Sequence, residues 1–311
     1  MSRSDNGKLP AIACLLVTML GWGCIPIFLR YFTGYLDAWT VNGVRYTVGA
    51  LFWLPFVIWF HRRRDWQAAV PEGRSVWRDA LLPTCVNVVG QAGYAVSPYF
   101  ISAPTIGFVL RLSFLFTVVF GFVFLAEERL LARRGVFWCG VATSAAGLTL
   151  MFVDKARMGT PREVVGVIIC AATTMGWGAY AVSVRVRMAP YPIRLSFGVI
   201  SIYSASALVA LMLVLGKWQR LGGLEPKLWG LLAGTAMVGI AMGHVLYYRG
   251  IHRLGPVVAS GVLLGTPFIT MLGAWLALGE RMTPLALLGG LGVVAGGGFL
   301  VWAKAQIERQ P

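Results

Sequence analysis

Few residues in this chain could do chemistry away from water, and their types restrict what that chemistry is. Arg45 and Arg111 are cations inside long apolar runs, and His244 is the residue within such a run that could titrate near neutrality. His61 and His252 stand at the edges of their runs. None of the 12 Asp and Glu residues is expected deep in a run: Asp37, Asp79, Glu163 and Glu280 fall at run ends, the others in loops or tails. A proton-driven cation exporter needs a buried carboxylate that alternates between proton and cargo, so that mechanism is disfavoured. The cysteines Cys14, Cys24, Cys85, Cys139 and Cys170 lie inside apolar runs without CxxC spacing, and no Ser/His/Asp or zinc pattern is visible. No catalytic residue, metal site or cofactor is therefore expected.

The polar groups fall on helical faces. Asn87, Gln91 and Tyr94 are spaced i, i+4 and i+7, which puts them on one face. Amides buried in lipid without partners are costly, so that face should look inward. His244, Tyr247 and Tyr248 form a second face. Asn42, Arg45, Tyr46 and Gly49 form a third, on which Tyr46 reads equally well as packing. Trp22 and Trp177 each sit mid-run inside Gly-Trp-Gly, unlike Trp53, Trp59, Trp66, Trp77, Trp218 and Trp229, which read as interfacial anchors. The mid-run pair reads as cavity wall or gate, with core packing as the alternative. A guanidinium in hydrocarbon costs about 2.5–3.5 kcal/mol on insertion scales, so Arg45 and Arg111 should face the interior and be paired. They could form a cationic ring that meets an anionic group, or bond to backbone carbonyls at broken helix ends. The second reading is preferred for Arg45, and both stay open for Arg111. The expected substrate contacts are Trp22, Asn87, Gln91, Tyr94, Arg111, Trp177, His244 and Tyr247.

The elements that position these groups are set by hydropathy. With 58% hydrophobic and 13% charged residues and a mean hydropathy of +0.73, the chain cannot be an ordinary soluble domain. Apolar runs long enough to cross about 30 Å of hydrocarbon occur at roughly 11–29, 37–60, 79–101, 104–125, 135–153, 163–184, 194–215, 228–248, 255–278 and 284–303. The first run is too long for a signal-peptide core and is expected to remain in the mature protein. The fold class expected is all-α integral membrane, with ten transmembrane helices and no soluble domain. Pro26, Pro98 and Pro267 should break or kink their helices. Lys and Arg favour one side of the spans, from Arg3 and Lys8 through Arg62, Arg63 and Arg64 to Lys304 and Arg309, which predicts cytoplasmic termini. The net charge of +15 thus serves headgroups and orientation, and the expected partners are the lipid bilayer and a small-molecule substrate, with no nucleic acid. The glycines from Gly289 to Gly298 lie in an apolar run with no following lysine. They predict close helix packing or a dimer contact rather than a phosphate loop, so the protein is read as a monomer or homodimer.

The chain also repeats itself. Pro104, Phe116, Gly121, Glu128 and Arg129 recur 152 positions later as Pro256, Phe268, Gly273, Glu280 and Arg281, while Arg111 aligns with Leu263. Gly21-Trp22-Gly23 recurs as Gly176-Trp177-Gly178, and Arg30 as Arg185, at an offset of 155. The halves 1–155 and 156–311 would each hold five spans and enter the membrane from opposite sides, as an inverted repeat in one membrane domain. Transporters commonly use this design, with a site at the repeat interface and alternating access by rocking one half against the other.

On Trp22 and Trp177, Arg45, the two P…ER endings at Pro104–Arg129 and Pro256–Arg281, and the glycine-rich run from Leu285 to Phe299, the chain resembles the EamA family, the ten-helix branch of the drug/metabolite transporter superfamily. The resemblance implies a secondary transporter of a bacterial inner membrane, with export the direction expected, and leaves the substrate open. An aromatic, amide-rich cavity with a cation and no buried acid suits a small zwitterionic or anionic metabolite, best an amino acid with its carboxylate near Arg111. A facilitator for a neutral or cationic metabolite, with both arginines structural, is the alternative within transport. A lipid-modifying membrane enzyme or flippase is the alternative of another class; it would need a catalytic dyad or a lateral opening with basic headgroup contacts.

Overall fold

Apolar runs of this length leave the backbone no partners but its own, so they must be helical. In the computed structural model, which describes residues 8–124 and 126–308, they are. The order is α1 (Lys8–Phe32), α2 (Ala38–Arg63), α3 (Val76–Asp79), α4 (Leu81–Val96), α5 (Ala103–Val109), α6 (Leu112–Phe124), α7 (Gly135–Met158), α8 (Pro161–Met188), α9 (Ile193–Leu215), α10 (Pro226–Ala236), α11 (Gly243–Leu263), α12 (Thr266–Leu278) and α13 (Pro284–Glu308). No strand occurs among the described residues, and the protein is an all-α membrane protein. The side chains of Lys8, Glu127, Glu128, His252 and Pro256, and the whole of Arg3 and Arg309, lie outside the described residues.

Nine stretches among the described residues are long and apolar enough to span a bilayer. The run expected at 79–101 instead divides into α3, the 16-residue α4 and a 3-10 turn at Ser97–Tyr99, where Pro98 cannot continue the helix. Pro267 likewise starts α12 in its first turn, after a break at Leu264 and Gly265. Pro26, by contrast, lies within α1 without breaking it. A further break was not expected: the run 104–125 splits at Leu110 and Arg111, where the amides of Arg111 and Ser113 bond three residues back. In the eighth run, α10 passes into α11 through a π-helical segment, Met237–Met242, which widens the helix beside Gly239 and Ile240.

The two sequence halves interlock. The most extensive packing joins α7 to α13 and α2 to α9; α4 and α6 pack on α8, and α1 packs on α11 and α12. Every one of these pairs crosses from one half to the other. The glycine runs serve this packing: a methyl group on Gly147 would fall 2.5 Å from the Gly289 carbonyl, and one on Gly289 would fall 2.7 Å from the Gly147 carbonyl. The clusters therefore seat α13 on α7 within the chain.

Asp154 corrects one expectation about the acids. Because α7 runs on to Met158, Asp154 lies inside a helix and is 1% exposed, accepting a hydrogen bond from Thr283 beside Lys155. Thr283 in turn accepts from the Ala286 amide, so this carboxylate fixes the start of α13.

Candidate functional site

A cavity of about 230 Å³ opens where α1, α2, α4, α8, α9 and the π-helical segment meet the break between α5 and α6. Seven of the eight expected contacts line it: Trp22, Asn87, Gln91, Tyr94, Arg111, Trp177 and His244. Tyr247 does not; its ring lies 5.3 Å from that of Trp22, which does.

The two tryptophans are held alike. A methyl group on Gly90 would fall 2.7 Å from Trp177 Cδ1, and one on Gly243 would fall 2.4 Å from Trp22 Nε1, so each indole lies over a glycine of the other half. Beside each glycine a tyrosine closes the pair, Tyr94 at 5.1 Å from Trp177 and Tyr247 at 5.3 Å from Trp22. Gly90 and Gly243, and Tyr94 and Tyr247, are related by one offset of 153 positions in the chain. The indole nitrogens of Trp22 and Trp177 are buried and have no protein partner. Gly90→Ala should lower the melting temperature, since overpacking costs about 1–3 kcal/mol. Adding Trp177→Phe, which removes the crowded indole nitrogen, should recover part of the loss in a thermal melt; no recovery would mean that the indole is not what Gly90 accommodates.

The polar wall comes from the first half. Asn87 donates to Ser204 Oγ at 3.0 Å, so its amide nitrogen is occupied in joining α4 to α9. The Gln91 carbonyl accepts from Asn42 Nδ2 at 3.0 Å, while among the described residues its side chain has no protein partner. Arg45, 3% exposed, donates from Nε to Thr235 Oγ1 at 3.1 Å, and its Nη2 faces Gly239. The expected bond from Arg45 to a carbonyl at a broken helix end is therefore replaced by a hydroxyl.

That bond is made by Arg111 instead. Its Nη1 donates to the Leu263 carbonyl at 3.0 Å, an end carbonyl of α11 that has no onward helical donor. Leu263 is also the residue aligned with Arg111 in the repeat, 152 positions on. The two broken helices thus meet at their equivalent points. Arg111 Nε is buried without a partner. Among the described residues no carboxylate lies within ion-pair distance of either arginine, and none lines the cavity. Tyr94 lies within electrostatic range of both.

The rest of the lining was not anticipated. Ile25, Leu110, Tyr180, Phe197, Ile200, Ser201, Gly239 and Ile240 complete the lining. Phe197 packs at a tilt against His244 and Tyr248, with ring centroids at 5.4 Å and 5.2 Å. A signal did exist, because Asn42, Arg45 and Tyr46 plus the 155-residue offset give Phe197, Ile200 and Ser201.

Chemically, this is a small chamber with aromatic rings, unpaired N–H donors and two cations. Nothing in it is arranged as a nucleophile with a base. The sequence profile of the EamA-like transporter family matches the chain twice, at residues 9–153 and 164–302. An uncharacterized transporter of Clostridium kluyveri is 22% identical over 279 residues, covering 85% of this chain and 83% of that relative. A solved crystal structure of a protein matches with a TM-score of 0.63 at 17% identity, over 98% of this chain and 100% of its own; at that identity the likeness concerns the fold alone.

Proposed function

The chain belongs to the EamA-like transporter family, and on that premise we propose that it carries a small solute bearing an acidic group, most simply an amino acid or related metabolite, across a bacterial inner membrane by alternating access. The observation that carries the reading is that two guanidiniums line one cavity with no carboxylate beside them among the described residues. Uncompensated charge in an apolar interior is strongly disfavoured, so an anionic group on the solute supplies the counter-charge. Arg111 and Arg45 hold that group, Gln91 and the two indoles add hydrogen bonds, and Phe197 and Tyr180 cover the remainder.

In this reading both termini are cytoplasmic, the direction is export, and the working unit is a monomer or homodimer. The two halves, 1–155 and 156–311, are inverted copies. The bodies that move are bundles drawn from both copies, because α1 packs on α11 and α12, and α8 on α4 and α6, across the halves. That replaces a motion of one sequence half against the other. Counterflow into proteoliposomes, with amino acids, organic acids and amines as probes, tests the reading. Acid-bearing solutes should exchange and simple amines should not. Exchange of amines alone would reverse the assignment of the arginines.

A further inference from the structure

The cavity is lined by both halves of the internal repeat, and comparing equivalent positions shows what each half contributes. Arg45 corresponds to Ile200 and Tyr46 to Ser201 at an offset of 155; Asn87 corresponds to Ile240 and Gln91 to His244 at 153; Arg111 corresponds to Leu263 at 152. Except for Leu263, whose carbonyl holds Arg111, all of these residues line the same cavity. Both cations and both amides come from the first half. Their counterparts are two isoleucines, a leucine and a histidine, and Phe197 also lines the cavity.

Trp22 Nε1, Trp177 Nε1 and Arg111 Nε are buried donors with no protein partner, and His244 Nδ1 and Asn42 Oδ1 are likewise buried and unpartnered. A carboxylate, an acceptor only, matches the three donors. An ammonium is three donors and no acceptor; among the described residues the lining gives it neutral amide and hydroxyl oxygens but no carboxylate, in a chamber that already holds two like charges.

The geometry points to a substrate that is a net anion without an ammonium group: an amphipathic carboxylate, its acid group between Arg45 and Arg111 and its branched or aromatic part against Ile200, Ile240 and Phe197. This rests on the reading that the cavity is the transport site; within the acid-bearing solutes proposed there, it sets the amino acid aside in favour of 2-oxo, hydroxy or simple carboxylic acids.

The test is calorimetric binding to the purified full-length protein, with matched probes that differ only at the α-carbon. The probes are 4-methyl-2-oxopentanoate, leucine and 3-methylbutylamine, and phenylpyruvate, phenylalanine and 2-phenylethylamine. The oxo acids should bind at least about tenfold more tightly than the amino acids, and the amines should give no heat. Equal or tighter binding of leucine or phenylalanine overturns the inference while leaving the transport-site reading standing. Binding of the amines alone overturns both. Absence of binding by either oxo acid also overturns the inference.

A second variant tests the polarity directly. Ser201→Asp places a carboxylate in a lining that has none and should shift the oxo-acid to amino-acid affinity ratio toward the amino acid by about tenfold or more. An unchanged ratio in a protein that still binds the oxo acid contradicts the inference.

Discussion

Arg111→Met is expected to reduce counterflow of organic acids by about 10–160-fold while leaving the melting temperature unchanged or raised. The loss corresponds to about 1.5–3 kcal/mol for a hydrogen bond between a charged pair. The direction of the stability change is what separates a binding role from a scaffolding one. In the folded protein Arg111 spends one nitrogen on the Leu263 carbonyl and leaves Nε buried without a partner. Leu263 keeps the Thr266 hydroxyl as a donor at 2.6 Å when the arginine is gone. Removing an uncompensated cation and filling its volume with a thioether is neutral or stabilising in such a setting. If Arg111 existed only to tie the broken helices together, transport and stability would fall together. Arg111→Lys keeps the charge but loses the planar fork, and should recover part of the rate and little of the affinity. Counterflow and thermal melts on the three proteins give the answer.

Glu280→Gln is expected to lower both stability and transport, the first by about 1–3 kcal/mol and the second by about tenfold. Its carboxylate accepts from Arg30 Nε at 2.7 Å and from the Ala103 backbone amide at 2.8 Å. Arg30 also donates to the Pro98 carbonyl. One acidic side chain thereby joins the ends of α1 and α12 to the turn after α4 and to the first turn of α5, where a negative charge complements the exposed amides. These are segments of the two bundles that must separate if the cavity is to open at this end. Glutamine preserves the shape and one acceptor but not the charge. The variant should therefore loosen the closure, and Glu280→Asp, with its shorter reach, should do so less for Arg30 than for Ala103. Normal counterflow with a normal melt would show that the junction is incidental. The repeat-related residues are Arg185 and Glu128, and the Glu128 side chain lies outside the described residues.

The sequence makes some of this legible and conceals the rest for physical reasons. Trp22 and Trp177 announce themselves because a large indole between two glycines is a costly arrangement in the middle of a span, and it occurs twice. Asn87, Gln91 and Arg111 are legible because polar groups in hydrocarbon must turn inward. The wall formed by Phe197, Ile200 and Ile240 is not, since apolar residues face lipid and cavity alike and composition cannot tell the two apart. Only the repeat register marks them. The break at Arg111 carries no proline and no glycine between Val109 and Leu112. It arises because two interrupted helices cross there, and a crossing is a tertiary event. Asp154 was misplaced by a boundary only a few residues off, which sufficed to move a carboxylate from a loop into a helix. Asn87 is legible as inward-facing but not as already engaged, because Ser204 reaches it from another helix.

The central claim is that the solute's anionic group supplies the counter-charge for Arg111 and Arg45. The most direct measurement is a structure of the protein bound to whichever organic acid exchanges best in counterflow. The account predicts the acid group within hydrogen-bonding distance of Arg111 Nε, next to Arg45, with the apolar part against Ile200 and Phe197. A bound solute with its acid group elsewhere, or with an uncharged end beside the two arginines, would contradict it.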